Sequence, residues 1–227
     1  MIIIYKYLGI ILIPLIKINL LLRILKGKEN KNRFSERYGI ASIERPKGDL
    51  IWIHTASVGE FKSAVLLIDT LHKKYTILLT TTTLSAANFA IKKYGHKIIH
   101  QFAPLDISMW VEKFLIKWKP KLVIWIESDL WPITTKLLKQ NSIKSLLVNV
   151  RMSPQSFEKW KKIKFFYKQM TECFSEIFAQ SQLDKERITQ LTNRDIKFIG
   201  NLKLASESKN KESGLGNNLT NFKKIKP

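Results

Sequence analysis

Leu50-Ile-Trp-Ile-His54-Thr-Ala-Ser57-Val-Gly59-Glu60 is the stretch on which the fold turns. It begins with a short, continuous apolar run, as a strand buried on both faces requires, and Ser57-Val-Gly59 then reads as a turn. From Glu60 the pattern lengthens to that of a helix reaching Lys74. The same succession recurs along the chain. Further apolar runs lie at Thr76–Thr81, Lys97–Phe102, Lys121–Ile126, Lys144–Asn149, Glu176–Gln180 and Asp195–Ile199. Helix-like segments stand between them at Leu84–Tyr94, Ile107–Trp118, Leu130–Gln140 and Asp184–Leu191. Strands alternating with helices of this length predict βαβ units and a mainly parallel sheet in an α/β fold. Right-handed crossovers then bring every strand-to-helix loop to one rim, where open sheets of this class bind ligands.

The unusual polar residues collect on that rim. Strand ends run into His54–Glu60, Thr80–Thr83, Pro104–Asp106, Glu127–Pro132, Asn149–Ser153, Gln180-Ser181 and Gly200–Lys203. Each loop has a bland reading, since Ser, Thr and Asp cap helices while Gly and Pro make turns. Seven loops with carboxylates, an arginine and a lysine among them are better explained as a ligand cleft. Glu60 illustrates the tension. A glutamate in a first helical turn is stabilised by the helix dipole, which lowers its pKa, whereas burial raises it toward the range of a general base. Glu127 and Asp129, two apart after a strand, fall on one side if extension continues, and with Arg151 and Lys203 they would form a partly charge-paired floor.

Bulk properties restrict the partner. The chain has 227 residues, 45% of them apolar and 25% charged, enough to build a core and to exclude wholesale disorder. Its formal net charge of +21 calls for an anionic partner: nucleic acid, an anionic membrane or a phosphorylated substrate. The basic residues are spread over the chain. They concentrate only around Trp160–Lys168, where the period suits an amphipathic helix beside a membrane better than a nucleic-acid surface. No Gly-x-Gly-x-x-Gly follows any strand, which argues against a nicotinamide dehydrogenase. Cys173 is the lone cysteine and reads as a core filler in a reducing compartment.

Residues 1–25 read as an uncleaved membrane anchor. The run from Ile2 to Leu25 is apolar apart from Lys6, Lys17 and Arg23, and fits an interfacial helix or a short tilted span kinked at Pro14. A buried core helix is the bland alternative. Lys26, Lys28, Lys31, Arg33 and Arg37 follow, which by the positive-inside bias predicts a cytoplasmic globular part. Arg33–Gly39 reads as a short basic helical piece ended by its glycine. A globular domain over 26–204 and a Ser-, Asn- and Lys-rich linker or tail over 205–227, with a marginal helix late in it, complete the chain.

Taken together, Arg33-Phe-Ser-Glu36-Arg37-Tyr38-Gly39, the strand-end loops named above, Asp184 and Arg187 resemble, in order and spacing, the motif series of the 3-deoxy-D-manno-octulosonic acid (Kdo) transferases. The resemblance runs from the start of the chain to about Leu204. It implies the Rossmann-like amino-terminal domain of a GT-B glycosyltransferase, with no metal and no cofactor. It implies transfer of Kdo from CMP-Kdo to lipid A precursor at the cytoplasmic face of the inner membrane. Glu60 matches the position of the proton acceptor, and Glu127 and Lys203 match transition-state stabilisers; Ser57, Gly59, Thr82, Asp129, Arg151 and Ser153 are the accompanying acceptor-binding positions. Asp129 stands where the family usually has glutamate, and Ile133 where it has asparagine. The family's donor-binding domain has no counterpart here. The expectation is that the 227 residues do not transfer Kdo alone unless a separately encoded donor-domain chain supplies the other half; a noncatalytic lipid-binding remnant is the alternative.

Overall fold

The computed structural model describes residues 1–127 and 129–209, with side chains as far as Ser206. Seven parallel strands form one sheet: β1 (Leu50–Thr55), β2 (Thr76–Thr81), β3 (Ile99–Phe102), β4 (Leu122–Ile126), β5 (Lys144–Val150), β6 (Phe174–Ala179) and β7 (Lys197–Phe198). The helices are α1 (Ile2–Ile11), α2 (Ile13–Leu25), α3 (Val58–Leu71), α4 (Leu84–Tyr94), α5 (Ser108–Trp118), α6 (Pro132–Gln140), α7 (Pro154–Lys162), α8 (Lys164–Thr171), α9 (Gln182–Thr192) and α10 (Leu202–Lys209). The strand order is β3-β2-β1-β4-β5-β6-β7, so the direction of winding reverses between β1 and β4. This is the Rossmann-like α/β arrangement, and its ligand crevice opens outside the carboxyl ends of those two strands.

Alternation along each strand divides the core in two. Leu50, Trp52, Leu78, Val123, Trp125 and Leu147 face one layer of helices, packing with Phe114 and Trp118 of α5, Leu138 of α6, Tyr167 of α8 and Ile188 of α9. Ile51, Ile53, Ile77, Leu79, Ile124 and Val148 face the other, with Phe61, Leu67 and Ile68 of α3, Tyr94 of α4 and Leu202 of α10. Residues two apart share a face and neighbours take opposite faces, so runs buried on both sides must be apolar throughout.

The segment before the sheet departs from the expected surface character. A 3-10 turn at Phe34–Tyr38 ends at Gly39, whose φ of 72° is the left-handed conformation that glycine adopts readily. A side chain there would also collide with the Trp110 carbonyl, which lies 2.0 Å from the position of a Cβ. Arg37 is not a surface cation. Its guanidinium is buried at 3% exposure, paired with Glu29 at 3.0 Å and donating to the Thr82 carbonyl at 2.5 Å. Arg33 pairs with Glu36 at 2.8 Å, and Glu36 accepts from the Phe102 amide of β3 at 2.6 Å. Arg23 of α2 completes the cluster through Glu29 at 2.9 Å. Two of the five cations read as flanking positive charge are thus taken up inside the fold, each needing a carboxylate once removed from water.

The amphipathic stretch around Trp160–Lys168 also differs from its reading. It is two helices meeting at Ile163, and most of its aromatics turn toward the domain: Tyr167 is buried, with the Trp160 ring tilted against it at 5.1 Å and packed against Phe166. Phe165, 70% exposed, faces solvent instead. The chain remains helical to Lys209, and the rest of the stretch read as a linker lies outside the described residues.

α1 and α2 meet at a bend of 63°. Pro14 sits in the first turn of α2 and has no N–H to return to the preceding turn. Among their residues only Ile2 and Leu20 are buried, so the buried-helix alternative is set aside, and Ile3, Ile4, Tyr7, Leu8, Ile11, Leu15, Leu21 and Leu25 stand exposed. No single described helix is long and apolar enough to cross a membrane, whereas the bent pair passes by length and composition.

Candidate active site

The crevice between β1 and β4 is built from the two loops that leave those strands. Ser57 caps α3 by accepting from the Glu60 amide at 3.3 Å. Glu60 folds back: one carboxylate oxygen accepts from the Ala56 amide at 2.5 Å and the other from the Ser57 hydroxyl at 3.2 Å. This is a variant of the capping box, in which a glutamate three residues after the cap satisfies an amide at the helix entrance. The structural reading of Glu60 is therefore real, but it is not the whole account. Only 8% of the residue is exposed, and burial pushes its carboxyl up to about 7. The charges of Glu127 and Asp129 add to that rise, while the bonds from Ala56 and Ser57 oppose it. The fold itself supplies the desolvation that turns a helix-capping carboxylate into a group balanced near neutrality.

Glu127 leaves β4 in the left-handed region, with φ of 65°, while its amide still reaches the Val148 carbonyl of β5 at 2.9 Å. Such a conformation costs a glutamate about 1–3 kcal/mol, and it aims the side chain at the crevice rather than along the strand. Burial raises the Glu127 carboxyl, and Ser63, Arg151 and Lys203 act in the opposite direction. Glu60 thus feels the charges of Glu127 and Asp129, and Glu127 those of Arg151 and Lys203, although α3, α10 and the loops after β4 and β5 carry them separately.

The remaining expected residues take other places. Thr82 gives its hydroxyl to the Ala56 carbonyl at 2.5 Å and supports the turn that holds Glu60. Gly59 is exposed, and a Cβ there would meet only the Ser57 hydroxyl at 3.6 Å. Ser153 caps α7 at the far side of β5 and, with Arg151, lines a cleft of about 450 Å³. Glu60 is not among the residues lining that cleft; it lies two strands away. Asp106 serves the structure, accepting from the Ile133 and Thr134 amides at 3.0 and 2.8 Å and so capping α6 from a distant loop.

Two positioning residues had no individual role in the sequence reading: Ser63, and Asn149 at the head of a rim loop. Asn149, itself at φ of 59°, donates to the Ser63 hydroxyl at 3.2 Å and accepts from the Leu202 amide at 3.0 Å. Ser63 in turn lies 3.5 Å from the Glu127 carboxylate, the outer limit of a hydrogen bond. The start of α10, and with it Lys203, is tied to Glu127 through this chain. A polar residue closing an apolar strand was the available signal. Among the described residues no group of three or more His, Cys, Asp or Glu side chains is arranged to hold a metal ion.

Residues 32–206 match the family described as 3-deoxy-D-manno-octulosonic-acid transferase (kdotransferase). A 3-deoxy-D-manno-octulosonic acid transferase of Rickettsia bellii is 39% identical over 207 residues, covering 89% of this chain and 49% of the relative. That of Haemophilus influenzae is 32% identical, covering 88% and 48%. A solved UDP-N-acetylglucosamine 2-epimerase from Rickettsia bellii superposes with a TM-score of 0.52 at 14% identity, over 80% of this chain and 52% of that one, a likeness of fold alone. The chain spans about half the length of the curated relatives it matches. On the family match and these identities, the chain belongs to the 3-deoxy-D-manno-octulosonic acid transferase family.

Proposed function

We propose that this chain carries the acceptor-binding half of a Kdo transferase acting on lipid A precursor. Glu60 takes the proton from an acceptor hydroxyl as that oxygen bonds to the anomeric carbon of Kdo. The bond from that carbon to the CMP phosphate breaks, and CMP leaves with the electron pair. Glu127 and Lys203 flank the developing charge, and a second domain holds CMP-Kdo. The observation that carries this reading is the buried Glu60 carboxylate at the switch point, where burial and the charge of Glu127 both raise its pKa. A base whose pKa lies near the working pH combines the right protonation state with sufficient basicity.

The exposed apolar side chains of α1 and α2, together with the net charge of +21, support docking on the anionic cytoplasmic face of an inner membrane. Tyr5 of α1 hydrogen-bonds Asp106 at the rim, which supports a lipid headgroup entering from the side of α1.

The test combines the detergent-solubilised chain with tetra-acylated lipid A precursor, CMP-Kdo and the donor half of the Rickettsia bellii relative. Saturable lipid binding and transfer are expected, with Glu60→Gln retaining binding and losing transfer by about 10²–10⁴-fold. Absence of lipid binding would sink the acceptor-half reading. Lipid binding with no transfer under any pairing would favour a noncatalytic lipid-binding role.

A further inference from the structure

Three residues of α1 turn toward the domain. Ile2, Tyr5 and Gly9 recur at helical spacing and share one face, while Ile3, Ile4, Tyr7 and Leu8 stand exposed around them. Ile2 is buried in the core layer that contains Trp125 and Ile133. Gly9 lets the helix come close, since a Cβ there would lie 2.9 Å from the Ile107 side chain. Between them, Tyr5 hydrogen-bonds the Asp106 carboxylate. That carboxylate also takes the Ile133 amide at 3.0 Å, the Thr134 amide at 2.8 Å and the Thr134 hydroxyl at 2.7 Å, all in the first turn of α6. A carboxylate offers about four lone-pair positions, so the Tyr5 hydroxyl completes the set. Immediately before that turn stand Asp129, Leu130 and Trp131. One fastening of this segment is aromatic: the Trp125 indole donates to the Asp129 carbonyl at 2.9 Å, and the Trp131 and His54 rings meet edge-on at 4.7 Å. A second runs through Asp106 to Tyr5. The charge of Asp129 reaches both the Tyr5 hydroxyl and the Glu60 carboxylate.

We propose that Tyr5 is a positioning residue of the active site, through which α1 fixes the Asp129–Trp131 segment relative to Glu60. Its hydroxyl is committed to Asp106 and acts on Glu60 only through that segment. Loss of the Tyr5 bond leaves the start of α6 with its amides still held but the segment before it less constrained, and the Asp129 charge draws away from Glu60. Misplacement of a catalytic group by about 1 Å costs up to about 10²-fold in rate, so a small slackening is enough to be felt. The helix that carries the exposed apolar side chains thereby also serves the site, across the sheet from α3. Naming Glu60 the base rests on the acceptor-half reading; the link from Tyr5 to its carboxyl does not.

The test compares Tyr5→Phe, which removes the hydroxyl and keeps the ring, with Tyr7→Phe at a 62% exposed position of the same helix. The full chain in detergent is followed by backbone amide shifts and by the Glu60 carboxyl titration, and transfer is measured after pairing with the donor half of the Rickettsia bellii relative. Tyr5→Phe is expected to shift the amides of residues 129–131, 133 and 134 and to lower the Glu60 midpoint by about 0.5, about threefold in its ionisation equilibrium. It should cut kcat about tenfold at unchanged KM, with the melting temperature lowered by no more than about 4 °C. Tyr7→Phe should match the parent in every reading. Amides and midpoint unmoved in Tyr5→Phe, or the same changes in Tyr7→Phe, would overturn the proposal. A fall in melting temperature without movement of the midpoint would reduce Tyr5 to a packing contact, and a moved midpoint with unaltered kcat would overturn the positioning role. If the parent transfers nothing under any pairing, the acceptor-half reading fails, and the titration alone decides the link from Tyr5 to Glu60.

Discussion

The side chain of Asn149 accepts the backbone amide of Leu202 at 3.0 Å, fastening the start of the last described helix to the end of the fifth strand. Asn149 does so from a left-handed backbone, φ 59°, which asparagine tolerates better than most residues. Asn149→Ala removes both of its hydrogen bonds and keeps the strain, with an expected loss of about 2–3 kcal/mol in urea unfolding. Asn149→Gly loses the same bonds but fits the backbone, and should recover about 1 kcal/mol of that loss. Equal losses for the two variants would mean that the backbone conformation carries no strain.

Glu60 predicts a dependence of stability on pH whose sign is opposite to that of a salt-bridged carboxylate. Its folded value is raised from 4.5 to about 7, so the folded state holds the proton where the unfolded chain has released it. Its contribution is therefore fully present below about pH 4.5 and is lost as pH rises through 7, amounting to on the order of 3 kcal/mol. Glu60→Gln, which keeps an oxygen to accept the Ala56 amide, should be more stable than the parent at about pH 8 and gain little at about pH 5. Thermal melts at the two pH values read the difference directly.

Arg37 and Glu29 form the charged pair most deeply buried at the edge of the sheet, each at 3% side-chain exposure. Burial lowers the Arg37 pKa and Glu29 opposes that shift. Arg37→Ala leaves Glu29 with only the half-exposed Arg23 beside it and frees the Thr82 carbonyl, with an expected cost of about 3 kcal/mol. Arg37→Lys keeps the charge, cannot bridge Glu29 and Thr82 with one planar group, and should fall between. Chemical denaturation of both variants ranks them.

The parts of the fold that depend on local periodicity were legible in the sequence. Leu84–Tyr94 and Thr76–Thr81 are a helix and a strand over the residues expected, and the other strands and the helices expected between them appear with shifted ends. The rim followed from chain direction alone, and there Glu127 lies within electrostatic reach of Glu60, Arg151 and Lys203. What local pattern could not reveal is pairing across distance. Arg37 reads as surface charge until Glu29, Thr82 and Ala103 surround it. Asp106 reads as a ligand-facing carboxylate until two amides 27 and 28 residues away claim it. The break at Ile163, with no proline or glycine to announce it, is imposed by the packing of Trp160 and Tyr167 on the core.

Side-chain carboxyl carbon NMR of the purified chain, with the resonance assigned by its absence in Glu60→Gln, reads the protonation state of Glu60 directly. A titration midpoint near 7 for Glu60, falling when Glu127 is replaced by Gln, is the predicted result. A midpoint near the ordinary 4.5, unmoved by the Glu127 substitution, would contradict it and leave Glu60 as a helix cap.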